Sequence, residues 1–139
     1  MTMATRTMIP GAYGMHLSQS HERLLVFLIA LHSFMVGAMF MAAPQWTMHF
    51  AGWPGIRPVF FAYQAGIFHI VLGLAYLIEY RRYRGVSVLV TAKVVAFVFL
   101  TTATVIDSIP WAVWTSGVLD GLMALATWWV HRRVARVEA

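Results

Sequence analysis

The sequence predicts an all-α integral membrane protein, a bundle of four membrane-spanning helices with both termini in the cytoplasm. Three observations carry this expectation. Of 139 residues, 60% are apolar and only 11% charged, whereas soluble domains average about 45–50% and about 25%. Apolar segments recur at 23–43, 58–80, 86–106 and 110–130. Each is close to the roughly 20 residues that cross about 30 Å of hydrocarbon. The arginines then sort to one side of that four-span layout.

Several classes are excluded. Disorder needs low hydrophobicity and high charge. Four spans leave no room for a soluble catalytic domain. The net charge of +5 reads as membrane topology rather than nucleic-acid binding, because basic residues gather on the cytoplasmic side. Cysteine is absent, which removes disulfides, thiolate metal sites, iron–sulfur clusters and covalent haem attachment. The N-terminus has no apolar run of seven residues and does not read as a cleavable signal peptide. Phosphate-binding, dinucleotide, zinc-protease and nucleophile-elbow signatures are missing.

Each element has a boundary signal. Residues 1–20 read as a cytoplasmic tail, 21–133 as the four-helix unit and 134–139 as a C-terminal tail. Ser20 is the expected N-cap of the first span, with Glu22 in its first turn and Pro44 at its far end. The following loop, QWTMHFAGWPGIR, spaces Trp46, Phe50 and Trp53 as a short interfacial helix would. An interfacial anchor and a lid over a ligand site both fit it. Pro58 suits the first turn of the second span, and Gly85 breaks the chain before the third. Asp107 or Ser108 caps the fourth, with Pro110 in its first turn.

Four spans place the termini and the 81–85 connection on one side. That side carries Arg6, Arg23, Arg81, Arg82, Arg84, Arg132, Arg133 and Arg136, and the other carries Arg57 alone. Trp46, Trp53, Trp111 and Trp114 then mark the outer interface, and Tyr80, Tyr83, Trp128 and Trp129 the inner one.

Ionisable residues inside a membrane are costly and are the default functional candidates. They are His32, His69, Lys93 and Asp120, with Gln64 near His69. Counted from the cytoplasmic ends at about 1.5 Å per residue, His32, His69 and Asp120 lie roughly 15 Å deep and Lys93 about 10 Å. Four polar groups from four helices therefore converge near one level. Small residues share their faces: Gly66 and Gly73 with His69, and Gly117 and Gly121 with Asp120. These faces are expected to meet protein rather than lipid.

Lys93 and Asp120 read first as a structural ion pair, with a proton or ion pathway and ligand binding as alternatives. His32 and His69 fit two chemistries. They suit axial ligation of a b-type haem or, singly, of a chlorophyll-type magnesium. Alternatively, each hydrogen-bonds across helices. His16, His21, His49 and His131 read as solvated. The nine Met residues read as gap-filling and lipid contact rather than a copper site.

The layout resembles small bacterial membrane proteins of the DoxX-like type. The matching elements are Gly37 followed by Pro44, the stripe AYQAGIFHIVLG, the Lys in TAKVVAF and the Asp in GVLDGLMAL, over roughly 22–133. The resemblance implies a four-helix bundle in the bacterial inner membrane and a link to quinone-coupled respiratory oxidoreductases. It carries over no catalytic residue, and the Met-rich N-terminus departs from it.

The leading expectation is a non-catalytic subunit of a larger respiratory or other bioenergetic membrane complex, in contact with lipid and with other membrane subunits. The alternatives are a redox protein binding haem, a chlorophyll-type pigment or quinone at His32 and His69, and a small proton-coupled transporter using Lys93 and Asp120.

Overall fold

The computed structural model describes residues 11–55 and 57–138, with side chains from 19 to 136 within those ranges. The first half of the expected N-terminal tail, with Arg6, lies outside the described residues, as does the His16 side chain. Among the described residues there are five helices and no strand: α1 (Gly11–Ala42), α2 (Pro44–Phe50), α3 (Phe60–Tyr83), α4 (Ser87–Ile106) and α5 (Trp111–Glu138).

Among the described residues three helical segments are long and apolar enough to cross a membrane: Gln19–Ala42, Phe60–Tyr83 and Ser87–Ile106. The α5 helix is not among them, because Asp120 and its tryptophans and threonines dilute its apolar content. Their outward faces are apolar, as Phe27, Met35, Phe68, Leu74, Val95 and Phe99 illustrate. The Val- and Thr-rich α4 would suit a strand by propensity. Its threonine hydroxyls instead turn onto their own helix, Thr101 Oγ1 to the Phe97 carbonyl at 2.6 Å and Thr104 Oγ1 to that of Leu100 at 3.2 Å.

Several boundaries differ from expectation for local reasons. Ser20 lies inside α1, because no proline interrupts Gly11–Ala42 and a capping residue permits a helix start without forcing one. Pro58 precedes α3 rather than entering it, and Val59 takes the N-cap. Asp107 ends α4 in extended backbone instead of capping α5. The start of α5 is marked by the Pro110 carbonyl, which accepts from Val113 N–H at 3.0 Å.

Arg84 closes α3 in the left-handed conformation, φ 53°, and Gly85 follows outside any helix. The Glu79 carboxylate reaches over this turn and accepts the N–H groups of Ser87 and Val88 at 3.0 and 2.9 Å. Those are orphan donors of the first turn of α4, so one helix caps the next. A Cβ on residue 85 would lie 3.1 Å from that carboxylate.

The helices pack as two pairs. The α1–α3 contact is closest at Gly37, where a Cβ would stand 2.7 Å from the Gly66 carbonyl oxygen. The α4–α5 contact closes at Gly121, where a Cβ would stand 2.9 Å from the Phe97 ring. The α1–α5 contact joins the pairs, and α3 and α4 touch little. A buried cluster of Val26, Ile29, Tyr76, Tyr80, Val86 and Leu89 fills the junction. At the far end of α1, α2 folds back through the Thr47 hydroxyl, 3.0 and 2.8 Å from the Met39 and Ala43 carbonyls. Phe50 of α2 meets the Trp111 ring at the start of α5 edge-on.

Candidate functional site

The candidate site lies where the two helix pairs meet. Lys93 projects from α4 and Asp120 from α5, and Lys93 Nζ donates to Asp120 Oδ1 at 2.5 Å. Their side chains are only 7% and 15% exposed. Gly117 and Gly121 flank Asp120 along the helix and let α5 approach Leu100, Thr101 and Phe97 of α4. The small-residue face thus does for the pair what a larger side chain would prevent.

His32 of α1 is half-buried and within electrostatic reach of Lys93, Asp120 and His69. Tyr76 of α3, almost fully buried, is within reach of Asp120. Polar groups from α1, α3, α4 and α5 therefore do share one region. His69 is the outlying member. Its Nδ1 lies 2.8 Å from the Ala65 carbonyl one turn back on its own helix, so the cross-helix bond considered for it does not form there. Its ring packs at 6.3 Å from that of Phe40. Gln64 is exposed on the outer face of α3 and does not join the site.

Of the sequence-singled glycines, Gly66 and Gly73 face α1 and Gly117 and Gly121 face α4. Gly73 meets the Ala30 carbonyl and the Phe34 ring, and Ala62 and Tyr76 on the same stripe are buried. His21 and His49 are exposed.

His131, expected to be solvated, is partly exposed but also has a partner. Its Nδ1 lies 2.6 Å from Glu22 Oε1 across the α1–α5 contact. The sequence does hold a signal for this pair. Glu22 precedes the first apolar run and His131 follows the last, so both fall at the same edge. Below Asp120 on the buried face of α5, Thr127 is fully buried, and its hydroxyl has no hydrogen-bond partner among the described residues.

The arrangement gathers positive charge at one end. There Arg132 and Arg133 sit over the Trp128 and Trp129 rings at 4.3 and 3.5 Å, and Arg84 over Tyr80 at 5.5 Å. Among the described residues no three His, Asp or Glu groups come together as a metal site would require. Two open apolar grooves run along α4. One of about 730 Å³ is lined by Val94, Phe97, Gly121, Leu125 and Trp128 among others, and one of about 640 Å³ includes Val95, Phe99 and Ile106. Compared with protein-family models, curated proteins and solved structures, the chain matches none.

Proposed function

We propose that this chain is a small, non-catalytic integral membrane subunit of a larger membrane complex, of respiratory or other bioenergetic type. In this reading α1, α3, α4 and α5 all cross the bilayer as a four-helix bundle. Both termini face the cytoplasm, where the arginine-rich end belongs by the positive-inside rule. Asp120 lowers the apolar content of α5 but is neutralised by Lys93, which makes a fourth span tolerable. The DoxX-like resemblance supports a bacterial inner membrane and a quinone-linked setting.

The observation that carries the reading is the closed Lys93–Asp120 contact at 2.5 Å. The two charges most suited to chemistry inside the membrane are spent on each other and clamp α4 to α5. The clamp holds a helix that is otherwise little covered. Of the three apolar segments, that of α4 is the least buried, and its outer face carries Val94, Val95, Val98 and Phe99 exposed. A scaffold subunit needs such a pair: rigidly joined inside and apolar outside for a neighbouring subunit.

Extraction in mild detergent followed by native mass spectrometry tests the proposal. A defined heteromeric complex of fixed stoichiometry is expected. Recovery of monomer or homodimer alone, from the native host under conditions that preserve other membrane complexes, contradicts it.

A further inference from the structure

At the arginine-rich end a cavity of about 430 Å³ opens between α1 and α3, lined by Arg23, Val26, Phe27, Leu77, Tyr80, Arg81 and Arg84. Its volume is within the roughly 300–1,000 Å³ of small-ligand sites. Three guanidinium groups border it, and none forms an ion pair with a carboxylate among the described residues. Among the described residues the only ion pairs are Lys93–Asp120 and Glu22–His131. Of the described carboxylates near this end, Glu79 and Glu22 are each taken up by another hydrogen-bond partner, although Glu22 stays within electrostatic reach of Tyr80. Glu79 is bound to the N–H groups of Ser87 and Val88, and Asp107 lies at the opposite end of α4. Glu22, the neighbour of Arg23 in sequence, is turned to His131.

The cavity is also graded. Arg23, Arg81 and Arg84 form its rim, while Val26, Phe27 and Leu77 lie about one helical turn deeper on the same two helices. Phe27 is exposed on the outer surface, so the apolar wall runs out to where lipid chains would lie. Tyr80 is buried close to the rim, where the Arg84 side chain engages its hydroxyl and the guanidinium carbon lies 5.5 Å from its ring centre. The Arg84 backbone is held by its helix-ending conformation, φ 53°, and its N–H is bonded to the Tyr80 carbonyl, which fixes where its side chain starts.

We infer that this cavity binds the phosphate of a net-anionic phospholipid, with a chain of the lipid along Phe27 and Leu77. Guanidinium groups take phosphate oxygens through paired N–H donors. Basic pockets between helices at the cytoplasmic face suit such headgroups. A zwitterionic headgroup would bring its ammonium against three cations. A free phosphate would satisfy the rim and leave the apolar wall unused. The inference rests on the membrane reading above. It adds a lipid that bridges α1 and α3 at the end where, among the described residues, no ion pair joins them.

The test uses the full chain in neutral detergent micelles doped with phosphatidylglycerol or phosphatidylcholine, read by native mass spectrometry. Wild type is expected to retain one phosphatidylglycerol in preference to phosphatidylcholine. The variant Arg23→Gln/Arg81→Gln/Arg84→Gln should lose that retention by at least about tenfold. The variant Arg132→Gln/Arg133→Gln, with two charges removed at the same end, should stay within about twofold of wild type. The milder Arg84→Lys keeps the charge but loses the paired donors and should fall between wild type and the triple variant, which guards against misfolding of the latter. Equal losses in both Gln variants, or no headgroup preference in wild type, overturn the inference. So does displacement of the lipid by millimolar inorganic phosphate, which would assign the rim to a soluble anion. Recovery of the chain without detergent in the soluble fraction would instead remove the membrane reading itself, and is seen before any lipid is added.

Discussion

Glu22 and His131, 109 residues apart in the chain, meet at 2.6 Å where α1 crosses α5. The Glu22 side chain is 6% exposed and that of His131 36%. The carboxylate is therefore the group that depends on the contact. His131→Ala leaves it buried without its hydrogen-bond partner and should cost about 1–3 kcal/mol. Glu22→Gln keeps the shape and a hydrogen-bonding group and should cost less. Thermal unfolding in detergent, compared between the two variants, gives the order.

Lys93 and Asp120 make the stronger version of the same relationship. Asp120→Ala leaves the Lys93 ammonium buried and unpaired, and a loss of about 3–5 kcal/mol is expected. The double variant Lys93→Met/Asp120→Leu removes both charges and should recover most of that loss. Denaturant unfolding of the three proteins checks it. A double variant no better than Asp120→Ala would mean that the pair does more than neutralise itself.

The helix contacts rank the glycines. A Cβ on residue 37 meets the Gly66 carbonyl oxygen and Ile70 Cγ1, both at 2.7 Å, and the backbone atom cannot yield without separating the helices. At residue 117 the nearest atom is at 3.1 Å. Gly37→Ala should therefore cost about 1–3 kcal/mol of overpacking and exceed the cost of Gly117→Ala. Unfolding midpoints of the two single variants give the comparison.

Thr127 carries a buried hydroxyl with no partner among the described residues. Replacing it by the isosteric valine removes an unsatisfied polar group without opening a cavity. Thr127→Val is expected to be neutral or to stabilise by about 1 kcal/mol. A clear loss of stability would mean that the hydroxyl is hydrogen-bonded in the membrane.

The helical layout was legible because apolar runs of span length and the prolines and glycines between them are local properties. That His32, Lys93 and Asp120 come within electrostatic reach of one another was legible too, since counting residues at a fixed rise puts them at similar heights. What counting does not supply is rotation of one helix against another. His131 read as solvated because it follows the last apolar run, yet the turn of α5 points it at Glu22. Gln64 read as near the site because it is close to His69 in sequence, yet it sits on the outward side of α3. The start of α1 lies well before Ser20, because Ser20 allows a helix to begin there while nothing between it and Gly11 stops one. The Glu79 cap of α4 depends on the turn made by Arg84 and Gly85, which neither residue announces alone.

The claim that α4 presents a subunit-binding face is tested most directly by photo-crosslinking in the native membrane. A photoreactive residue is placed at Val95 or Phe99 on α4 and, as a control, at Ile78 on the exposed side of α3. The account predicts a discrete adduct with the same protein from both α4 positions and none from Ile78. Adducts with lipid alone at Val95 and Phe99 would contradict it.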